Sequence, residues 1–283
     1  MKGFTLRLQC NDRPGIVARV AHFLASAGCN IVDAQQYNDP GNQRFFMRVV
    51  LTPGTSVTVE RIKGDFAAIA REYEMEWSIR DNNTPKKVVL MVSKFDHCLG
   101  DLLYRYRIGE LNMEVVAIIS NHQREHLTTS LINDIPYHYF PVSKETKTDQ
   151  EHRIEEVISE TGAELIVLAR YMQILSNDMA QFLSGRCINI HHSFLPGFKG
   201  ARPYHQAFDR GVKMIGATAH FVTADLDEGP IISPGRRACF ACGYTRCACS
   251  EGRDIGERRV IATAVHQFLD DRVFLNGHRT VVF

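Results

Sequence analysis

The sequence predicts an α/β protein in which a small ferredoxin-like unit precedes a larger unit built on a doubly wound, mostly parallel sheet. Three observations support this prediction. The 283 residues exceed the length of a typical single domain. The first part of the chain follows a βαββαβ pattern, and a short polar segment then opens a longer alternation of strands and helices. The predicted domains are residues 1–81 and 88–283, with a linker over 82–87.

The elements of the first unit are predicted from short β-like runs that alternate with amphipathic helical runs. The predicted strands are Phe4–Leu8, Asn30–Gln35, Arg44–Leu51 and Met75–Arg80, and the predicted helices are Ile16–Ala27 and Val59–Tyr73. Such an order gives a four-stranded sheet with two helices on one face.

The segment between the first strand and the first helix carries a distinctive turn. Asp12 can cap the helix, Pro14 suits its first turn, and Gly15 allows a close backbone approach. These features alone indicate a helix start. Within a βαββαβ unit, however, the turn resembles that of the ACT domains, which bind small molecules. The resemblance implies pairing into a homo-oligomer and a site for an amino-acid effector such as methionine or glycine, formed by Asn11, Asp12, Pro14, Gly15 and Ile16.

The second unit begins directly after the linker, which is polar and contains Pro85. Its predicted strands are Val88–Ser93, Glu114–Ser120, Tyr137–Phe140, Glu164–Ala169 and Cys187–His191, with helical patterns between them such as Lys144–Glu160. Ligands of such sheets bind at the carboxyl ends of the strands, so polar residues at those ends are candidates for a functional site.

The composition argues against two classes of binding partner, nucleic acids and membranes. The 33 basic and 32 acidic side chains leave a net charge of +1, which argues against nucleic acid as a partner. No run approaches the roughly 20 apolar residues that span a bilayer, so we expect no membrane partner and a cytoplasmic location. Without a secretion signal, the scattered Cys10, Cys29, Cys98 and Cys187 are expected to be reduced and mostly buried.

Two polar side chains occupy the end of the last predicted parallel strand. Since strand side chains alternate, Asn189 and His191 face the same side of the sheet. An amide can donate to an oxyanion, and an imidazole can carry a proton near neutral pH. Alone, this pair is more typical of a satisfied polar strand end. An acidic loop farther along the chain holds Asp225, Asp227 and Glu228, and position alone does not choose among their carboxylates.

The segments 189–196 and 220–230 together resemble the folate-dependent formyltransferase fold family. The run 200–207 and the ACT-like unit narrow the resemblance to the formyltetrahydrofolate deformylases. This resemblance implies that Asn189, His191 and Asp227 are catalytic and that His220 supports Asp227. It also implies that backbone groups hold the pterin ring at Arg170, Ile174, Leu175, Ala224, Asp225, Leu226 and Glu228.

The same resemblance implies hydrolysis of 10-formyltetrahydrofolate to formate and tetrahydrofolate, which supplies formate to one-carbon metabolism and purine biosynthesis. We expect no cofactor beyond this substrate and no metal. Relatives that formylate a phosphorylated amine hold the phosphate in a glycine-rich turn. The corresponding segment, Val92–Leu99, has no glycine and contains Asp96, which favours water as the acceptor. A non-catalytic folate-binding sensor is the alternative.

The resemblance breaks off over Pro234–Glu251, where four cysteines crowd together. Cys239, Cys242, Cys247 and Cys249 offer the ligands of a zinc tetrathiolate, although the spacing of the second pair is unusual. A local irregularity of the coding sequence is an equally good explanation. The sequence leaves this choice open.

Overall fold

The computed structural model describes residues 3–191, 195, 214–238 and 246–283. These residues form two compact units. The first comprises Met1–Pro85, Asp270–Phe274 and Val281–Phe283, and the second comprises Lys86–Leu269 and Leu275–Thr280. The last residues of the chain are thus divided between the units, a division that the sequence pattern did not indicate. No helix within the described residues combines the length and apolar character needed to cross a bilayer.

The first unit has the predicted βαββαβ order. Its elements are β1 (Phe4–Asn11), α1 (Ile16–Ser26), β2 (Cys29–Asp39), β3 (Arg44–Pro53), α2 (Val59–Glu72) and β4 (Glu76–Asp81). The strands form an antiparallel sheet in the order β2-β3-β1-β4. The ferredoxin-like prediction is therefore confirmed.

Strand alternation explains how this sheet forms its core. Phe4, Leu6, Leu8 and Cys10 occupy every second position of β1 and are buried beneath the two helices. The apolar stripes of those helices complete the cluster, with Val20 and Leu24 from α1 and Phe66 from α2.

The opposite face of the same sheet carries arginines that contact the end of the chain. Arg7 Nη2 donates to the Val273 carbonyl at 2.9 Å, and Arg48 Nε donates to the Asp270 carbonyl at 2.9 Å. The Phe274 ring packs edge-on against Phe46. These contacts explain why the terminal residues fold with the first unit.

The second unit contains a larger, mixed sheet. Within its described residues, the helices are α3 (His97–Arg107), α4 (Lys147–Thr161), α5 (Asn177–Phe182) and α6 (Arg246–Leu269). Its strands are β5 (Lys86–Val92), β6 (Met113–Ser120), β7 (Tyr137–Tyr139), β8 (Leu165–Leu168), β9 (Cys187–His191), β10 (Met214–Phe221) and β11 (Ile231–Ala238). A C-terminal hairpin of β12 (Val273–Asn276) and β13 (Arg279–Val282) follows α6.

The strand order β11-β10-β9-β8-β5-β6-β7 confirms the mostly parallel arrangement. Strands β5 to β9 pair in parallel. At one end of the sheet, β10 pairs antiparallel with β9, and β11 pairs antiparallel with β10. Helices α4 and α5 cover one face through a cluster that includes Ile154 and Met179. Helix α6 packs on β9, β10, β11 and α3. Both faces are therefore covered, which explains why every residue of Val88–Val92 is buried.

The cysteine-rich segment is only partly described. Residues 234–238 continue β11, and α6 begins at Arg246. Cys239 and Cys242 lie outside the described residues, as do the predicted family segments at 192–194 and 200–207. Cys10, Cys29, Cys98 and Cys187 are buried free thiols, as predicted.

Candidate active site

The pairing of β9 with β10 brings three of the predicted polar side chains together. Asn189 and His191 lie two residues apart on β9 and therefore face the same side. In the antiparallel ladder, His220 of β10 lies directly opposite Asn189, and Thr218 lies opposite His191. The Asn189 Nδ2 atom is 3.3 Å from His220 Nε2. Strand register thus creates a cluster of amide and imidazole groups.

The protonation of His220 follows from its two hydrogen bonds. Its Nδ1 atom lies 2.8 Å from the Phe221 carbonyl oxygen, which can only accept, so Nδ1 carries the hydrogen. Burial lowers the pKa of His220, which favours the neutral ring. Nε2 is then an acceptor and receives an N–H from Asn189. This bond fixes the orientation of the Asn189 amide.

The structure distinguishes the three carboxylates that position along the chain left equivalent. Asp225 and Glu228 are exposed, whereas Asp227 is buried. Asp227 Oδ1 lies 3.2 Å from His191 Nδ1 and 4.0 Å from His220 Nε2. His191 is buried as well. The predicted trio of Asn189, His191 and Asp227 is therefore contiguous, and His220 lies closer to Asn189 than to Asp227.

Backbone geometry holds Asp227 in this position. Its φ of 59° lies in the left-handed region, which non-glycine residues seldom adopt. Gly229 permits a very close approach, because a Cβ there would lie 1.7 Å from the Phe221 carbonyl oxygen. The loop is also tied by the Phe221 N–H, which donates to the Pro230 carbonyl at 3.0 Å. A strained residue at a polar cluster is a common feature of functional sites.

A second strained turn follows β8. Arg170 has a φ of 66° and is buried, although it carries a charge. The Ser93 N–H donates to the Arg170 carbonyl at 3.2 Å, and the Met172 N–H donates to Ser93 Oγ at 3.0 Å. The Ser93 hydroxyl in turn donates to Asn121 Oδ1 at 2.7 Å. We call residues 170–172 the β8 turn.

Large apolar side chains are exposed at two positions predicted to hold the pterin ring, Ile174 and Leu226, and at Met172, which was not among the predicted positions. Met172, Ile174 and Leu226 are 53%, 63% and 54% exposed. Leu175 is half-buried, and Ala224 is exposed like its neighbours Asp225 and Glu228. Exposed apolar residues next to a buried polar cluster are typical of a site that receives a flat heterocyclic ligand.

A buried charged cluster lies behind the β8 turn, and the sequence did not predict it. Glu257 of α6 is fully buried, with one carboxylate oxygen 2.9 Å from His97 Nε2 and 3.5 Å from Arg170 Nε. Cys98 lies beside it and, together with His97 and Glu257, offers a set of potential metal ligands. Burial raises the pKa of the Cys98 thiol, and the nearby guanidinium repels a cation. The cluster is therefore better suited to an ion pair than to a metal.

The predicted effector residues occupy the β1–α1 turn, with one correction. Asp12 does not cap α1. Its carboxylate instead accepts from Asn38 Nδ2 at 2.8 Å, because β2 extends far enough to supply that partner. The helix begins at Ile16 after Gly15, which takes a left-handed φ of 94°, so Pro14 precedes the helix rather than forming its first turn. Asn11, Asp12, Pro14 and Gly15 are exposed, while Ile16 is buried.

Comparisons with known proteins identify both units of the chain. A formyl transferase family model matches residues 86–242, and an ACT domain model matches residues 4–66. A formyltetrahydrofolate deformylase from Corynebacterium is 45% identical, over 98% of this chain and 96% of that protein.

Solved structures give the same result. The formyltetrahydrofolate deformylase of Burkholderia mallei matches with a TM-score of 0.93 and 44% identity, covering 100% of both chains. Glycinamide ribonucleotide transformylase 1 of Symbiobacterium toebii matches 71% of this chain with a TM-score of 0.65 and 27% identity. The full-length likeness, with both domains present in the same order, establishes that the chain belongs to the formyltetrahydrofolate deformylase family.

Proposed function

We propose that this protein hydrolyses 10-formyltetrahydrofolate to formate and tetrahydrofolate, and that Asn189, His191 and Asp227 carry out the reaction. The observation that supports this most strongly is the buried contact of Asp227 Oδ1 with His191 Nδ1 at 3.2 Å, beside an Asn189 amide that is oriented by His220. Family membership supplies the substrate class. The formate then serves one-carbon metabolism and purine biosynthesis.

The reaction begins with attack of water on the formyl carbon. Asp227 orients the water and accepts its proton as the oxygen–carbon bond forms. The carbonyl oxygen becomes an oxyanion, which the second N–H of the Asn189 amide and the His191 ring stabilise by hydrogen bonds. Because the first N–H of that amide is held by His220, the donor is oriented before substrate binds.

Collapse of the tetrahedral intermediate breaks the carbon–nitrogen bond. The electron pair returns to the folate nitrogen, which takes a proton from His191, and formic acid leaves and loses its remaining proton to solvent as formate. The proton that Asp227 took from water passes to His191 across their 3.2 Å contact, which restores both groups for the next turnover. The proposed reaction requires water and the folate substrate, with no further cofactor.

Water is a better candidate acceptor than a phosphorylated amine. The segment after β5 carries Asp96 at the start of α3, and its carboxylate accepts from the N–H groups of Thr128 and Thr129 at 2.6 Å and 2.8 Å. A negative charge at this helix start opposes phosphate binding. The loop thus supports hydrolysis rather than formyl transfer to a phosphorylated acceptor.

The test is release of formate from 10-formyltetrahydrofolate by purified protein without any amine. Formate and tetrahydrofolate should appear in equal amounts, and addition of amines should not increase the rate. Formate release that depends on an added amine would refute the hydrolase assignment. Stoichiometric folate binding without turnover would instead support the sensor alternative.

We propose further that the N-terminal unit binds an amino-acid effector at the β1–α1 turn, and that the chain is a cytoplasmic homo-oligomer. The left-handed Gly15 and the exposed Asn11, Asp12 and Pro14 support a backbone-lined site at this turn. Calorimetric titration with methionine and with glycine tests the site, with Asp12→Ala as the variant that should weaken binding. Sedimentation measures the oligomeric state. If neither amino acid gives a heat of binding, the proposal that methionine or glycine is the effector is wrong.

A further inference from the structure

Ser93 is the centre of a hydrogen-bond network that joins three neighbouring strands. It follows β5, Asn121 follows β6, and the β8 turn follows β8, so the network lies at the carboxyl ends of adjacent strands. Ser93 is 2% exposed. Its N–H donates to the Arg170 carbonyl, its Oγ accepts from the Met172 N–H, and its hydroxyl donates to Asn121 Oδ1.

The two bonds from Ser93 to the turn lie on either side of Tyr171, directly after Arg170. The left-handed conformation of Arg170 costs free energy for any side chain other than glycine, and it persists only where the surroundings hold it. Ser93 holds the carbonyl of Arg170 and the N–H two residues later. The Arg170 side chain adds a further restraint through Glu257, 3.5 Å away.

The hydrogen bonds of Ser93 determine which way its hydroxyl hydrogen points. Because the Met172 N–H already donates to Oγ, the hydroxyl hydrogen points to Asn121 Oδ1, where it is accepted at 2.7 Å. Asn121 thus determines which lone pair of Ser93 faces the turn. An alanine at position 93 would remove this acceptor while leaving its own N–H to Arg170 unchanged.

We propose that Ser93 is a positioning residue for folate binding, one that holds the β8 turn in the conformation that receives the pterin ring. This inference rests on the proposed function, because it takes the β8 turn as part of the folate site. Ser93 itself contacts neither the reacting carbonyl nor Asp227 in this scheme. Its loss therefore affects binding of folate and not the chemical step.

The experiment compares Ser93→Ala with wild type by formate release and by calorimetric titration with tetrahydrofolate. Loss of one buried hydrogen bond to the turn should raise both KM and the Kd of tetrahydrofolate about five- to fiftyfold, with kcat changed less than about threefold. Asn121→Ala should produce the same pattern more weakly. The double variant should resemble Ser93→Ala, since both substitutions disrupt one network.

Thr161→Val is the matched control. It removes a hydroxyl that donates within α4 to the Val157 carbonyl, just before the amino end of β8 and thus at the opposite edge of the sheet. This variant should keep the wild-type KM and Kd. Thermal unfolding of each variant shows whether a change in Kd merely follows a general loss of stability.

Three outcomes would overturn the inference. Ser93→Ala could bind tetrahydrofolate as tightly as wild type, it could lose kcat with KM unchanged, or it could weaken binding no more than Thr161→Val at equal loss of stability. These results are distinguishable from failure of the proposed function. A wild-type protein that binds tetrahydrofolate without releasing formate would refute the hydrolase assignment and leave the Kd comparison valid.

Discussion

Asp227→Asn separates the chemistry of the carboxylate from its structural contribution. Asn preserves the size of the side chain and tolerates the left-handed backbone that Asp227 adopts. Its amide oxygen can still accept from His191 Nδ1 at the 3.2 Å position of the present carboxylate oxygen. What Asn cannot do is accept a proton from water. The substitution therefore removes the proposed base and little else.

The expected magnitudes follow from these contacts. Loss of a general base lowers kcat by about 10²- to 10⁴-fold, which raises the barrier by roughly 3–5 kcal/mol. Replacement of a charged by a neutral hydrogen bond to His191 should lower the free energy of unfolding by about 1 kcal/mol. For a unit of this size, such a loss lowers Tm by about 2–4 °C. The effect on rate should thus far exceed the effect on stability.

The assay is kcat for formate release at saturating 10-formyltetrahydrofolate, with Tm measured on the same samples. Asp225→Asn is the matched comparison, since it makes the same change two residues away at an exposed side chain. Its kcat should stay within about threefold of wild type because its carboxylate has no proposed role in proton transfer. An Asp227→Asn protein that keeps a tenth or more of the wild-type kcat would refute the assigned role.

Three further predictions concern the supports of the site. Gly229→Ala should abolish formate release, because the new Cβ would lie 1.7 Å from the Phe221 carbonyl oxygen and displace the acidic loop; activity above about a tenth of wild type would contradict this. Burial lowers the pKa of His220, so the unfolded chain binds a proton that the folded chain rejects, and stability should fall as pH drops below about 6.5. Thermal unfolding measured from pH 7.5 to 5.5 should show a steeper fall of Tm with pH in wild type than in His220→Gln. Equal slopes for the two proteins would contradict this role of His220. Glu257→Gln removes the buried anion beside Arg170 and should lower the free energy of unfolding, measured by urea titration, by about 3 kcal/mol. The exposed Glu110→Gln should cost less than about 1 kcal/mol, and equal losses would contradict a special role for Glu257.

Periodic segments were predictable from sequence because their pattern is local. The predicted strand at Cys187–His191 matches β9, and alternation along it correctly placed Asn189 and His191 on one face. The ends of strands were less predictable, since they depend on pairing with neighbouring strands. Strand β2 extends to Asp39 because Asn38 and Asp39 pair with the start of β3.

Tertiary contacts explain what the sequence could not provide. Asp12 was expected to cap α1, but Asn38 competes successfully for its carboxylate. The family resemblance pointed to Asp227, but the physical reason for that choice among three acids is its burial within a folded loop, which position along the chain does not reveal. Glu257 is separated from His97 by 160 residues, so the charged cluster has no sequence signature.

The role of Ser93 in holding the β8 turn also depends on tertiary contacts. Ser93 lies in a segment whose lack of glycine was informative about phosphate, but its hydrogen bonds reach Asn121 and Met172, which are 28 and 79 residues away. In the sequence, the available signal was a serine at the end of the predicted strand Val88–Ser93. That signal becomes specific once the order of β8, β5 and β6 is known.

The central claim is that water, activated by Asp227, is the acceptor of the formyl group. The most direct measurement is turnover of 10-formyltetrahydrofolate in water enriched with oxygen-18, followed by mass spectrometry of the formate. Attack by solvent predicts that each formate carries one oxygen-18 atom. Formate without solvent oxygen, or a formyl group recovered only on an added amine, would contradict the claim.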